Sequence, residues 1–227
     1  MTRKLALALL LISFTGASAA QAATIGFSNG FGPAAVPLAS TPMAPLSLFD
    51  PALGTLTQVD LTLDADAFAG SIDWDNEAGI PTDVTLGIGA EVTVTTTFGD
   101  SVVAIPLQLG SALGIAADND GAPDFVGTDS FSVAGGIGND VDSATLTAAL
   151  DLANYTGIGT FGIDVEAVVQ NFLSTTGGYG PIQQTAGSTD GTVTVTYTYN
   201  PIPEPTSALL LGGGLLGIAA AGRRRRR

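Results

Sequence analysis

Cysteine and histidine are absent from this 227-residue chain, and lysine and arginine are confined to its two ends. Without thiols there can be neither a disulfide framework nor a thiolate metal site. A zinc centre lacks both imidazole and thiolate ligands. No imidazole can activate a serine, and no thiol or interior amine is available as a nucleophile. Gly135-Gly136-Ile137-Gly138 is rich in glycine, but no lysine follows it, so it reads as a turn and not as a phosphate loop.

The missing cations matter as much as the missing nucleophiles. Residues 5–222 contain no Lys, Arg or His, yet they hold all 21 acidic residues. Such a body has no side chain to clamp phosphate or to release counterions from nucleic acid, so no nucleic-acid binding is expected. Divalent cations are its natural counter-charge. Self-repulsion predicts a fold that gains stability in salt or calcium.

What is present begins with two distinctive ends. Residues 1–22 have the three parts of a secretory signal: basic Arg3-Lys4, an apolar run from Leu5 to Phe14, and a small-residue stretch ending Ala20-Gln21-Ala22. Cleavage is expected after Ala22 by signal peptidase, with Ala17-Ser18-Ala19 as a second candidate. The apolar run is too short to serve as an uncleaved spanning anchor. At the other end Pro203-Glu204-Pro205 precedes 17 uncharged residues, 206–222, rich in Leu, Gly and Ala. At 1.5 Å per residue this is near the lower limit for a single transmembrane helix. Arg223, Arg224, Arg225, Arg226 and Arg227 follow at once. The positive-inside rule keeps those arginines cytoplasmic and puts the domain outside.

The order Pro-Glu-Pro, apolar helix and arginine run resembles the PEP-CTERM sorting signal of Gram-negative bacteria, which a membrane exosortase processes. The resemblance implies transient retention in the inner membrane, cleavage near Pro203, Glu204 and Pro205, and then release or attachment at the cell surface. It also implies an organism that makes extracellular polysaccharide. A plain single-pass tail anchor would show the same hydropathy.

Between the ends, residues 23–200 read as one domain, large enough to bury a core without staples. Period-two alternation dominates it. Apolar residues fall at 59, 61, 63, 65, 67 and 69, then at 84, 86, 88, 90, 92 and 94, with Asp, Glu and Thr opposite. The same pattern recurs at 146–152, 161–169 and 193–199, and shorter candidates lie at 24–28, 102–107 and 130–133. Each is a strand with one dry and one wet face. Residues 144–152 favour helix by composition, but their alternation reads as strand. About eight strands with turn-rich connections predict an all-β, antiparallel, jelly-roll-like sandwich. The body also resembles the choice-of-anchor E domain in Ser71-Ile72-Asp73-Trp74-Asp75-Asn76-Glu77-Ala78-Gly79, Gly127-Thr128-Asp129-Ser130-Phe131 and Gly191-Thr192-Val193-Thr194-Val195-Thr196-Tyr197. That resemblance implies no catalytic activity.

Three groups remain that bear on chemistry. Asp118, Asp120 and Asp124 surround Gly121, with Asp129 downstream, and supply oxygen ligands at alternate positions. This resembles the calcium loops of EF-hands, dockerins and thrombospondin repeats. Ala116 and Gly127 stand where the opening and closing acids belong, so a calcium site here would be weak, with Asp129 as substitute ligand. The same residues also suit an acidic Asx-turn loop without metal. Two carboxylates suffice for glycoside hydrolysis, and Glu77, Glu91 and Glu166 are the candidates, although the last two fall on wet strand faces. Trp74, the only tryptophan, reads either as a core residue beside Ile72 or as a platform for a sugar ring. Asn154-Tyr155-Thr156 matches a glycosylation sequon by chance. The expectation is therefore an exported, non-catalytic surface or extracellular-matrix protein. Polysaccharide binding through Trp74 is the alternative, and a two-carboxylate glycosidase a more distant one.

Overall fold

The computed structural model describes residues 21–118, 121–202 and 212–214. In chain order the strands are β1 (Ala23–Ala35), β2 (Leu38–Pro42), β3 (Leu46–Ser47), β4 (Gly54–Phe68), β5 (Ser71–Asp75), β6 (Thr82–Thr96) and β7 (Ser101–Ala104). There follow β8 (Leu107–Ile115), β9 (Ser130–Ala134), β10 (Ile137–Leu146), β11 (Thr160–Phe161), β12 (Ile163–Thr175), β13 (Ile182–Thr185) and β14 (Ser188–Pro201). A 3-10 turn (Pro51–Leu53) precedes β4, and one short helix, α1 (Ala149–Asn154), follows β10.

Two main sheets face each other. One has the order β1-β14-β4-β10; the other is β2-β12-β6, with β7 and β8 end to end along the far edge of β6. All pairings in both are antiparallel. This distribution of strands between a four-stranded and a five-stranded antiparallel sheet is that of an all-β sandwich. Alternation decides which face is dry: Val59, Leu61, Leu63, Ala65 and Ala67 of β4 and Val193, Val195 and Tyr197 of β14 point inward. They meet Ala90, Val92 and Val94 of β6 and Ile163, Val165 and Ala167 of β12 in one buried cluster. Each large apolar side chain so buried contributes about 1.5–3 kcal/mol.

A smaller sheet, β13-β5-β9, covers the first half of β6. Ile72 and Trp74 of β5 and Val133 of β9 pack there against Val84, Leu86 and Ile88. Near the centre of β6 the backbones run close together, because Ala90 N–H donates to Pro106 O at 3.2 Å where β7 gives way to β8. A Cβ on Gly89 would collide with that same carbonyl oxygen, so glycine is required for the approach.

Several expectations are corrected. The described residues contain fourteen strands, not about eight, because short strands extend the two main layers and the third sheet adds more. Residues 144–152 are not one strand: β10 stops at Leu146, and α1 leaves Leu150 82% exposed. The β10–β4 ladder ends at Leu146 opposite Val59 although β4 itself extends back to Gly54, and past that point the chain follows the intrinsic preference of Ala and Leu for helix. Ala69 is exposed at φ 62°, in the turn after β4, and does not point inward. The candidate at 102–107 is split between β7 and β8 at Pro106, which cannot donate to the ladder.

Residues 1–20 of the expected signal peptide lie outside the described residues. Of the expected transmembrane segment only 212–214 are described, and they are helical. Among the described residues no helix is long and apolar enough to cross a membrane.

Candidate functional site

The acidic loop is held by a residue that lies outside it. Asp75, at the end of β5 and only 3% exposed, accepts the backbone N–H groups of Asp124 and Phe125 at 2.8 and 2.9 Å. Asn76 donates to Ile80 O and Ala116 O at 2.9 and 2.7 Å, and its own N–H donates to Asp129 O. Asp118 Oδ1 accepts Gly121 N–H at 2.8 Å, and Asp124 Oδ1 accepts Val126 N–H at 2.9 Å. These are turn-forming bonds, as short Asp side chains favour. Asp129 is buried at 4% exposure, and Asp120 lies outside the described residues. Among the described residues no three or more acidic side chains are gathered so as to hold a metal ion. Asp118 and Asp124 thus serve turns, and the sequence reading missed Asp75. No local signal marks it, because the amides it holds lie 49 and 50 residues away.

Trp74 is fully buried within the smaller cluster, so it offers no platform to a sugar ring. Its Nε1–H has no hydrogen-bond partner, and neither has Thr82 Oγ1.

The glutamates do not form a hydrolytic pair with Glu77. Glu91 and Glu166 sit on the outer face of the β6–β12 ladder, opposite Val168 and Thr93, and Gln170 Nε2 donates to Glu91 Oε2 at 2.8 Å. Glu77 lies before the start of β6, its N–H bonded to Tyr179 O. From Thr82, where β6 begins, to Glu91 is about 30 Å along an extended strand. Hydrolytic carboxylates stand within about 10 Å of each other.

Three carboxylates are neighbours on the outer face of the other sheet. Asp66 lies directly opposite Asp190, and Asp64 is two residues away on the same face of β4. Asn139 Nδ2 donates to Asp64 and Asp66 at 2.8 and 2.9 Å. With Phe31 and Thr192 these residues line an open depression of about 320 Å³. Like charges placed directly opposite destabilise a ladder, and the chain has no cation between residues 5 and 222 to offset them.

Two phenols are locked as structural groups. Tyr155 donates to Asp100 Oδ2 at 2.7 Å, and Tyr197 donates to Ser47 O at 2.8 Å. Burial pushes both far above the ordinary tyrosine value; beside Tyr155 the charge of Asp100 adds to the shift, while its bond with Thr96 opposes it.

The tail leaves from one defined end of the sandwich. Pro201 pairs with Gly54 as the last residue of β14, and Ile202 N–H donates to Leu53 O at 3.2 Å. Pro203, Glu204, Pro205 and the five arginines lie outside the described residues.

Among solved structures, the chain has 14% identity to infectious bursal disease virus Gx strain, covering 83% of this chain and 42% of that one, at a TM-score of 0.20. It has 12% identity to Turnip Yellow Mosaic Virus, covering 82% of this chain and 98% of that one, also at 0.20. The infectious bursal disease virus VP2 subviral particle is 12% identical, with 81% and 37% covered, again at 0.20. Likeness at that level bears on neither fold nor function. No curated protein matches the chain. Residues 201–226, which begin where β14 ends, match the PEP-CTERM protein-sorting motif.

Proposed function

We propose that the protein is an exported, non-catalytic surface or extracellular-matrix protein, sorted and cleaved through its C-terminal segment. The observation that carries this is the match to the sorting motif over residues 201–226, set immediately after the last strand of the sandwich. In this reading residues 1–22 are a signal peptide removed by signal peptidase, and residues 23–200 form the exported domain. Residues 206–222 cross the inner membrane, and Arg223 to Arg227 stay in the cytoplasm. An exosortase then cuts near Pro203, Glu204 and Pro205, leaving the domain at the surface of a Gram-negative cell. Assignment of the body to the choice-of-anchor E type rests on its sequence resemblance alone.

The lack of His, Cys and interior Lys supports a non-catalytic role, since the usual nucleophiles and bases are missing. Burial of Trp74 removes the side chain on which polysaccharide stacking depended. Calcium would act chiefly as diffuse counter-charge to the carboxylate faces, because Asp118 and Asp124 already serve local amides.

Mass spectrometry of the C-terminus of protein recovered from the native cell surface tests the reading. A terminus between Pro203 and Pro205 is expected. Recovery of chains ending at Arg227 alone would overturn sorting by cleavage and leave a plain anchor.

A further inference from the structure

The end of the sandwich from which the tail departs is also where several apolar side chains stand in solvent. Ile158, in the loop after α1, is 92% exposed, Leu150 on α1 is 82% exposed, and Ile202 is 57% exposed. Leu53 in the 3-10 turn and Phe98 in the β6–β7 turn are exposed at 39% and 37%. Their neighbours tie them to one place. Ile202 bonds to Leu53, Gly157 N–H donates to Phe49 O just before the Pro51–Leu53 turn, and Phe98 packs on Tyr155 with ring centroids 4.9 Å apart. Between α1 and the start of β4 lies an open depression lined by Gly54, Leu56, Ala149 and Leu152.

Exposure alone does not decide what covers these residues, since Leu113 at the opposite end of β6 is 83% exposed. Chain length decides it. Only Glu204 and two prolines separate Ile202 from the uncharged run that begins at Thr206. Four fully extended residues reach about 13 Å. The headgroup layer on one side of a bilayer is itself about 5–8 Å thick. If residues 206–222 span the membrane, the tether holds this end of the domain within about 5–8 Å of the headgroups.

We infer that the tail-exit end of the sandwich is a lipid-contacting surface, with Leu150 and Ile158 entering the interface while the protein is membrane-retained. The inference rests on the proposed membrane insertion of residues 206–222. The contact is apolar, for the end carries no Lys or Arg with which to bind anionic headgroups. Two of its carboxylates are turned to other uses, since Asp50 accepts Ala52 N–H and Asp100 accepts the Tyr155 hydroxyl, while Asp151 on α1 is half-buried beside Leu150. Side chains in such an interfacial contact reach about 5–10 Å into the headgroup and acyl boundary. Cleavage at Pro203 to Pro205 would release the contact along with the tail.

Because the chain has no native cysteine, single labels test this in the full-length protein. Leu150→Cys, Ile158→Cys, Leu113→Cys and Leu211→Cys are each labelled with a thiol-reactive fluorophore and reconstituted into phosphatidylcholine bilayers with brominated acyl chains. Emission loss relative to unbrominated lipid is expected at 150 and 158, with a larger loss at 211 and none at 113. Loss at 211 with 150 and 158 no different from 113 would overturn the lipid contact and leave membrane insertion standing. No loss at 211 would overturn both.

Discussion

Tyr155 and Tyr197 show how single side chains set a limit on the protein's stability. Both phenols have folded-state values raised by burial above the ordinary 10.0. The unfolded chain therefore releases those protons at lower pH than the folded one. Their contribution is fully present below pH 10 and is lost as alkali carries the solution from the unfolded value toward the folded one. A urea series at rising pH should show falling midpoints above pH 10, and Tyr155→Phe should soften that fall. Unchanged midpoints would contradict the locked phenols. At the same scale, Asp75 was not legible as the organiser of the acidic loop. Its two amide partners lie 49 and 50 residues away, and nothing local marks such a contact.

At the scale of elements, alternation marked the dry faces of β4, β6, β12 and β14 residue by residue. A two-sided environment leaves a period of two in the sequence wherever a strand is long and central. The rule failed where pairing ended: the apolar residues at 146, 150 and 152 keep the period, yet Leu150 stands on a helix in solvent. A pair of substitutions of the same chemistry separates the cases. Leu63→Ala, in the main core, should cost about 2–5 kcal/mol. Leu150→Ala should stay within about 0.5 kcal/mol. Denaturant midpoints report both, and comparable losses would mean that the apparent exposure of Leu150 is wrong.

Across the whole molecule the dominant electrostatic term is repulsion. Asp66 faces Asp190 across a ladder, with Asp64 beside them, and no internal cation offsets them. The melting temperature should rise with NaCl, and further with CaCl2 at matched ionic strength, since divalent ions screen and bridge neighbouring carboxylates more effectively. Indifference to both salts would remove repulsion as a term in stability.

Composition alone determined that the body is anionic and lacks the usual nucleophiles, and local order determined the C-terminal sorting motif, because charge, residue type and contiguous motifs need no partner to be read. Alternation determined strands and their inward faces. Tertiary structure alone decided which strands are neighbours, that Trp74 is buried, that Asp75 ties down the acidic loop, and that the chain leaves the sandwich beside Leu53 and α1. Each of these depends on register between segments far apart in sequence, and strand period specifies a face without specifying a partner.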